Sequence, residues 1–294
     1  MTNAVRDKFL HIADLHFWRL TFNPMRQLNK RVLGNLNLFL KRRHEFVMEN
    51  AEPFLDQVTS VGIPDAVFTG DFTTTSLSEE FEMSQTFMRR ATDAGLRAVV
   101  IPGNHDVYTF AAERKDIFQH HLHEWASEDP LPVIHRLPGG TPVLLAPTVC
   151  ANWVSSKGVI LEAEIDKTRS LLDSVDDQVI VAGHYPLLTE TDAYTLTPGR
   201  MLRGAEELRR AMGESGKSIL YICGHVHRFS YVADPQFANL RHLTTGTLFG
   251  RNHAQHRDGE FSEIHTNGAD WAVFNHVHDG GWRRDEAVCT ELCL

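Results

Sequence analysis

Gly103-Asn104-His105-Asp106 follows the apolar run Ala98-Val99-Val100-Ile101 and the single residue Pro102. A run this short, rich in β-branched residues and closed by a turn former, reads as a buried strand. The tetrapeptide is therefore expected in the loop at the strand's carboxyl end, where open α/β sheets carry their binding groups. Asn offers a neutral oxygen, His a proton carrier and Asp a carboxylate, while Gly lets the backbone turn sharply. Adjacent side chains project apart, so Asn104 and His105 are not expected to hold the same ion. His105 is read as a proton donor or phosphate-contacting group, and Asp106 as the carboxylate that fixes its tautomer.

Four further fragments share this form. Asp14-Leu15-His16 follows the expected strand Phe9 to Ala13, and Gly70-Asp71 follows Ala66 to Thr69. Gly183-His184 follows Val179 to Ala182, and Gly224-His225-Val226-His227 follows Ile219 to Ile222. In extended backbone residues i and i+2 point the same way, so Asp14 should converge with His16 and His225 with His227. Asp71 has two oxygens and can bridge two cations. Taken singly, an Asp after a strand is most often a turn residue, and a lone His a satisfied surface side chain. Five such fragments in one chain, each after an apolar run, are hard to explain by packing. Their mixed nitrogen and oxygen donors suit Mn, Fe, Zn or Co better than Ca. Two such cations roughly 3.5–4 Å apart can hold a bridging hydroxide and clamp a phosphoryl group for in-line attack.

The ordered set D-x-H, G-D, G-N-H-[DE], G-H and G-H-x-H resembles the calcineurin-like metallophosphoesterase superfamily. The motifs span residues 14 to 227 with no ligand missing. The resemblance implies an α/β fold, a four-layer α/β/β/α sandwich with mixed sheets and metals at the strand ends. It implies one metal on Asp14, His16, Asp71 and His227, and another on Asp71, Asn104, His184 and His225. His105 would be the acid. The wording of Gly103 to Val107 and of His184-Tyr185-Pro186 is similar to the bacterial cyclic-nucleotide phosphodiesterase-like branch. Thr73-Thr74-Thr75 stands where that branch often carries an Asp, and a basic insert follows His16.

With 294 residues, 42% of them hydrophobic, the chain can bury a full core. Residues 1–294 are read as one domain with a basic helical insert at about 19–43, since no linker marks a boundary. No run of about 18 apolar residues exists, and the polar stretch Met1 to Lys8 does not read as a secretory signal. A cytoplasmic protein is expected, with peripheral membrane contact as an option. The four cysteines (Cys150, Cys223, Cys289, Cys293) are too scattered for a disulfide framework, and Cys289 with Cys293 makes only a weak zinc signal.

The net charge of −9 argues against a general nucleic-acid binder. It is unevenly spread. Between Asp14 and Glu45 there is no acid, but there are Arg19, Arg26, Lys30, Arg31, Lys41, Arg42 and Arg43. Met25, Leu28, Val32, Leu36 and Phe39 form an apolar stripe, so residues 25–40 read as an amphipathic helix that could rest on an anionic lipid surface. Further helices are expected over His44 to Val61, kinked or divided at Pro53, over Ser78 to Ala94 and, unbroken, over Phe110 to Trp125. The stretch between Thr245 and Trp271 reads as a His- and Gly-containing loop.

The expected function is that of a dinuclear metal-dependent phosphoesterase acting on a phosphodiester, a cyclic nucleotide being one candidate. The alternative is a pyrophosphatase or phosphatase acting on a phospholipid or nucleotide-linked lipid. A non-catalytic scaffold is the reading from another class, and the complete ligand set counts against it.

Overall fold

The computed structural model describes residues 5–19, 46–153, 155–175, 177–191, 194, 200–252 and 256–290, the side chains of 286–290 excepted. The expected basic helix at 25–40, all its cations from Arg26 to Arg43, Cys293 and the Cys289 side chain lie outside this set. Cys150 and Cys223 are free thiols.

The strand motifs seen in the sequence form the centres of two sheets. In the first, β1 (Asp7–Ile12), β2 (Asp65–Phe68) and β3 (Arg97–Val100) run parallel. On its other edge β1 pairs antiparallel with β12 (Gly259–Thr266), which continues into β13 (Trp271–His278) and β14 (Trp282–Thr290). In the second sheet β5 (Pro142–Leu145), β7 (Gln178–Ala182), β9 (Ser218–Cys223) and β11 (Leu240–Thr244) run parallel. Antiparallel β4 (Val133–Arg136) and β10 (Ser230–Ala233) close its edges. A two-stranded ladder of β6 (Gly158–Val159) and β8 (Leu202–Arg203) stands apart.

Side-chain alternation sorts the apolar residues into three layers. Phe9, Val67, Val99, Ile101, Leu145, Ile180, Leu220 and Ile222 meet between the two sheets. From the opposite face of the first sheet, Leu10, Ile12, Phe68 and Val100 pack on two helices. These are α1 (Ala51–Val61), through Phe54 and Val58, and α2 (Ser78–Asp93), through Phe81, Phe87 and Met88. From the second sheet, Leu144, Val179, Val181 and Tyr221 pack on the helices of residues 162–173 and 205–214. The result is the expected order of helices, sheet, sheet and helices. Strands buried on both faces read as continuous apolar runs, which is why the sequence showed them.

Three expectations change in detail. Pro53 neither kinks nor divides α1, because it sits in the first turn, where the missing N–H has no partner to lose. The helix expected over 110–125 is two short ones, α3 (Phe110–Arg114) and α4 (Ile117–Leu122), broken where Asp116 adopts a φ of 47°. The supposed loop before Trp271 contains β12, the buried neighbour of β1.

On β1, His11 stands on the face that carries Phe9 and is fully buried. Its Nε2 meets Thr69 Oγ1 at 2.9 Å. Burial pushes its pKa down to about 3, so it stays neutral in the fold. An unfolded histidine takes up its proton near pH 6.5. Between these values the unfolded chain binds a proton that the folded chain does not, so stability falls as pH falls. The expected slope from this group is about 1.4 kcal/mol per pH unit below pH ~6.5. In urea unfolding at pH 7.5, 6.0, 5.0 and 4.0, His11→Gln should show a flatter acid limb. Equal slopes in the two chains would show that His11 is not held neutral.

Candidate metal centre

The loops after β1, β2, β3, β7 and β9 bring Asp14, His16, Asp71, Asn104, His184, His225 and His227 together. Ligand atoms of Asp14, His16, Asp71 and His227 all lie within 4.8 Å of one another. His16 Nε2 stands 2.9 Å from His227 Nε2, 3.8 Å from Asp14 Oδ1 and 3.7 Å from Asp71 Oδ2. A second set touches the first through Asp71. His184 Nε2 lies 3.4 Å from Asp71 Oδ2 and 3.0 Å from Asn104 Oδ1, and His225 Nδ1 is 2.9 Å from that same amide oxygen.

The expected convergence is present, but its backbone origin differs. Asp14, His16, Asp71, His225 and His227 are not extended: their φ values are 54°, 52°, 56°, 73° and 57°. These are five of the eight non-glycine residues with positive φ among the described residues. Left-handed conformations cost a side chain about 1 kcal/mol or more each, and such strain gathers at functional sites. Two glycines allow the loops to meet. A Cβ on Gly70 would lie 2.2 Å from Gly103 N, and one on Gly103 would lie 2.2 Å from both Asp71 N and Asp71 Oδ1.

The donor set fits cations. His184 Nδ1–H donates to the Thr69 carbonyl at 2.7 Å, which turns Nε2 toward the oxygens of Asp71 and Asn104. Lone pairs in contact repel unless positive charge lies among them. The electrostatics agree. Burial disfavours a charge on His184, yet Asp71 and Asp14 outweigh it and push its pKa up to about 9. Burial likewise raises the Asp71 carboxyl, but His184, His105 and His16 overcome this and hold it well below the usual carboxylate range. Asp14 goes the other way, raised by burial and by Asp71. The cluster is thus able to hold two transition-metal ions with Asp71 shared. His105 Nδ1 is fixed by the Thr74 carbonyl at 2.6 Å, its ring 5.0 Å from that of His16.

Asp106 does not contact the His105 ring by any hydrogen bond. Its carboxylate accepts instead from Gly103 N (2.9 Å), Thr73 N (2.9 Å), Phe72 N (3.2 Å) and Thr73 Oγ1 (3.0 Å). Four donors from two loops make it a staple between them, so the tautomer of His105 is set by Thr74. Ser76 Oγ adds bonds to the carbonyls of His105 and Asp106 and accepts from Tyr108 N. Sequence reasoning noted Thr73 and Thr74 only as a departure from the branch's pattern and did not single out Ser76. Their signal was a run of hydroxyl residues directly after Gly70-Asp71, too short to be a strand.

A four-layer sandwich with two Asp/His donor sets sharing a carboxylate at the strand ends defines the class of dimetal phosphoester hydrolases. The calcineurin-like phosphoesterase family model matches residues 7–229, and the chain belongs to that family; it is a metal-dependent phosphoesterase. The fold is similar to that of a dimetal phosphatase from Danio rerio, with a TM-score of 0.60 at 13% identity over 96% of this chain and 99% of that one. It is also similar to a purple acid phosphatase from yellow lupin, with a TM-score of 0.58 at 12% identity over 94% of this chain and 52% of that one. A third relative in fold, the anchor protein of the Plasmodium inner membrane complex, gives 0.53 at 11% identity, covering 97% and 90%. No curated protein matches the chain. Among the described residues no helix is long and apolar enough to cross a membrane.

Proposed function

We propose that the protein hydrolyses a phosphodiester of a small nucleotide-like substrate, with a cyclic nucleotide as one candidate. The observation that carries this reading is Asp71 shared between two donor sets, beside an imidazole that is positioned but bound to neither. Asp14, His16, Asp71 and His227 would hold one cation, and Asp71, Asn104, His184 and His225 the other. When bound, the pair supplies Lewis acidity to the phosphoryl oxygens and lowers the pKa of water. His105 keeps its Nδ1 proton on the Thr74 carbonyl, so Nε2 is the nitrogen that exchanges a proton with the leaving oxygen. His184 is oriented through Thr69, as a ligand imidazole needs. Asp106 holds the Gly103–Asp106 and Phe72–Thr73 loops at one spacing.

A second reading, a phosphatase or pyrophosphatase on a lipid-borne substrate, is favoured by where the basic insert is rooted. Before it, Phe17 pairs with Thr73. After it, the Phe46 ring lies 4.6 Å from that of His16 and 6.2 Å from that of His227. The described residues on either side of the insert, Phe17 and Phe46, thus stand beside the cluster.

The deciding experiment is a hydrolysis panel on metal-reconstituted protein: a phosphomonoester, an aryl diester, cyclic nucleotides and a nucleotide-linked lipid. The first reading expects the highest kcat/KM on a nucleotide diester. Turnover confined to the monoester would reject it, and preference for the lipid-borne substrate would install the second.

A further inference from the structure

Trp153 is the most exposed large hydrophobic side chain among the described residues, at 77%. An indole left in water does nothing for the core. Its loop, however, is tied to the metal centre at several points. Thr148 Oγ1 accepts from His184 N at 2.8 Å. At the far end, Tyr185 donates its hydroxyl to the Ser156 carbonyl, and the Tyr185 ring lies 4.2 Å from that of His225. Between them, Ala151 N donates to Glu113 Oε1 at 2.9 Å, which fastens the loop to α3. Asn152 Nδ2 closes the base of the turn by donating to the carbonyls of Cys150 (3.0 Å) and Lys157 (2.8 Å). The indole is thus presented by a braced turn.

Its aromatic neighbour among the described residues is Phe110, with ring centroids 5.1 Å apart at 53°. Phe110 opens α3, directly after the loop that carries His105, and Tyr108 in that loop stacks on His105 at 5.4 Å. The Trp153–Phe110 pair therefore spans the two loops that follow β3 and β5, one holding Asn104 and His105, the other leaning on His184. Asn152 precedes the indole, and Val154 then Ser155, Ser156 and Lys157 follow it, so most of its sequence neighbours are polar. An exposed indole face backed by Phe110, with Asn152 and Lys157 close by in the chain, suits a flat ring with polar edges.

We propose that Trp153 is a substrate-binding residue that stacks on a nucleobase carried by the scissile phosphate, with Phe110 backing the indole; this rests on the phosphoester reading above and narrows its substrate class. Every base offers a π-face, and loss of one base–aromatic stack costs about tenfold or more in affinity.

The test compares two anions on the metal-loaded protein: adenosine 5′-monophosphate, which carries a base, and inorganic phosphate, which does not. Inhibition constants are read against the aryl diester bis(p-nitrophenyl) phosphate, and dissociation constants by calorimetry, which needs no turnover. Trp153→Ala should weaken the nucleotide about tenfold and change phosphate less than about twofold. Trp153→Phe should recover most of the loss. Equal weakening of both anions would assign Trp153 a structural role and overturn the proposal, as would no weakening of either. Vesicles containing phosphatidylglycerol form a third arm. If Trp153→Ala abolishes flotation with them and leaves the nucleotide constant unchanged, the indole is a membrane anchor and the proposal fails. If the wild type hydrolyses no phosphoester but shows the calorimetric pattern, the activity reading fails while Trp153 keeps its role.

Discussion

Asp71→Asn should lower the metal content from two ions per chain to one or none, and kcat/KM by at least about 10³-fold. The substitution is nearly isosteric. Asn can still accept from His105 N, as Asp71 Oδ1 does at 2.7 Å, so the loop keeps its anchor and the effect is one of charge. The lost charge is the one that both donor sets share: Oδ2 lies 3.7 Å from His16 Nε2 and 3.4 Å from His184 Nε2. An amide nitrogen there offers hydrogens where the site needs an anion. Metal analysis by mass spectrometry after manganese loading, with circular dichroism as a control on folding, decides the matter. Two ions retained with full activity would remove Asp71 from the centre of the site.

His105→Ala should act on rate and spare the metals. The ring is held by Thr74 and belongs to neither donor set, so two ions should remain. Its expected contribution is proton transfer to the leaving oxygen, about 10²–10⁴-fold in kcat. The loss should be large for an alkoxide leaving group, which must be protonated, and small for p-nitrophenolate, which leaves as the anion. A variant that loses both metals, or that slows the two substrates alike, would rule out this role.

What the sequence revealed divides along physical lines. β2, β3, β7 and β9 were legible because both of their faces are buried, and the loops at their ends stood out as polar fragments against apolar runs. β12 was not legible. All eight of its residues are buried, yet Glu260, Ser262, Glu263 and His265 are polar. Glu263 resolves the paradox. It is flanked by His265 Nε2 at 2.6 Å, His276 Nε2 at 2.7 Å and Arg284 Nη2 at 3.0 Å, partners drawn from three strands. A buried carboxylate partnered across strands leaves no period in one strand. The residues expected to hold metal lie together in the fold. The reason offered, two residues apart on extended backbone, does not hold, because left-handed turns at Asp14, His16, His225 and His227 aim them instead. Asp106 looked like the partner of His105 because it is next in sequence. Adjacency favours divergence, and the carboxylate went to the N–H groups of Phe72 and Thr73 in the neighbouring loop and of Gly103 in its own.

β1 lies at the heart of its sheet, yet its two neighbours are made at very different times. β2 follows closely, whereas the ladder from Asp7 to Thr266 joins opposite reaches of the chain, beyond the residues 7–229 that define the family. A ribosome adds about 5–20 residues per second, so β1 waits on the order of tens of seconds for β12. Through that interval the nascent chain shows an open strand edge along Phe9 to Ile12. The platform beneath Asp14 and His16 is therefore closed only once the chain has been made as far as Thr266.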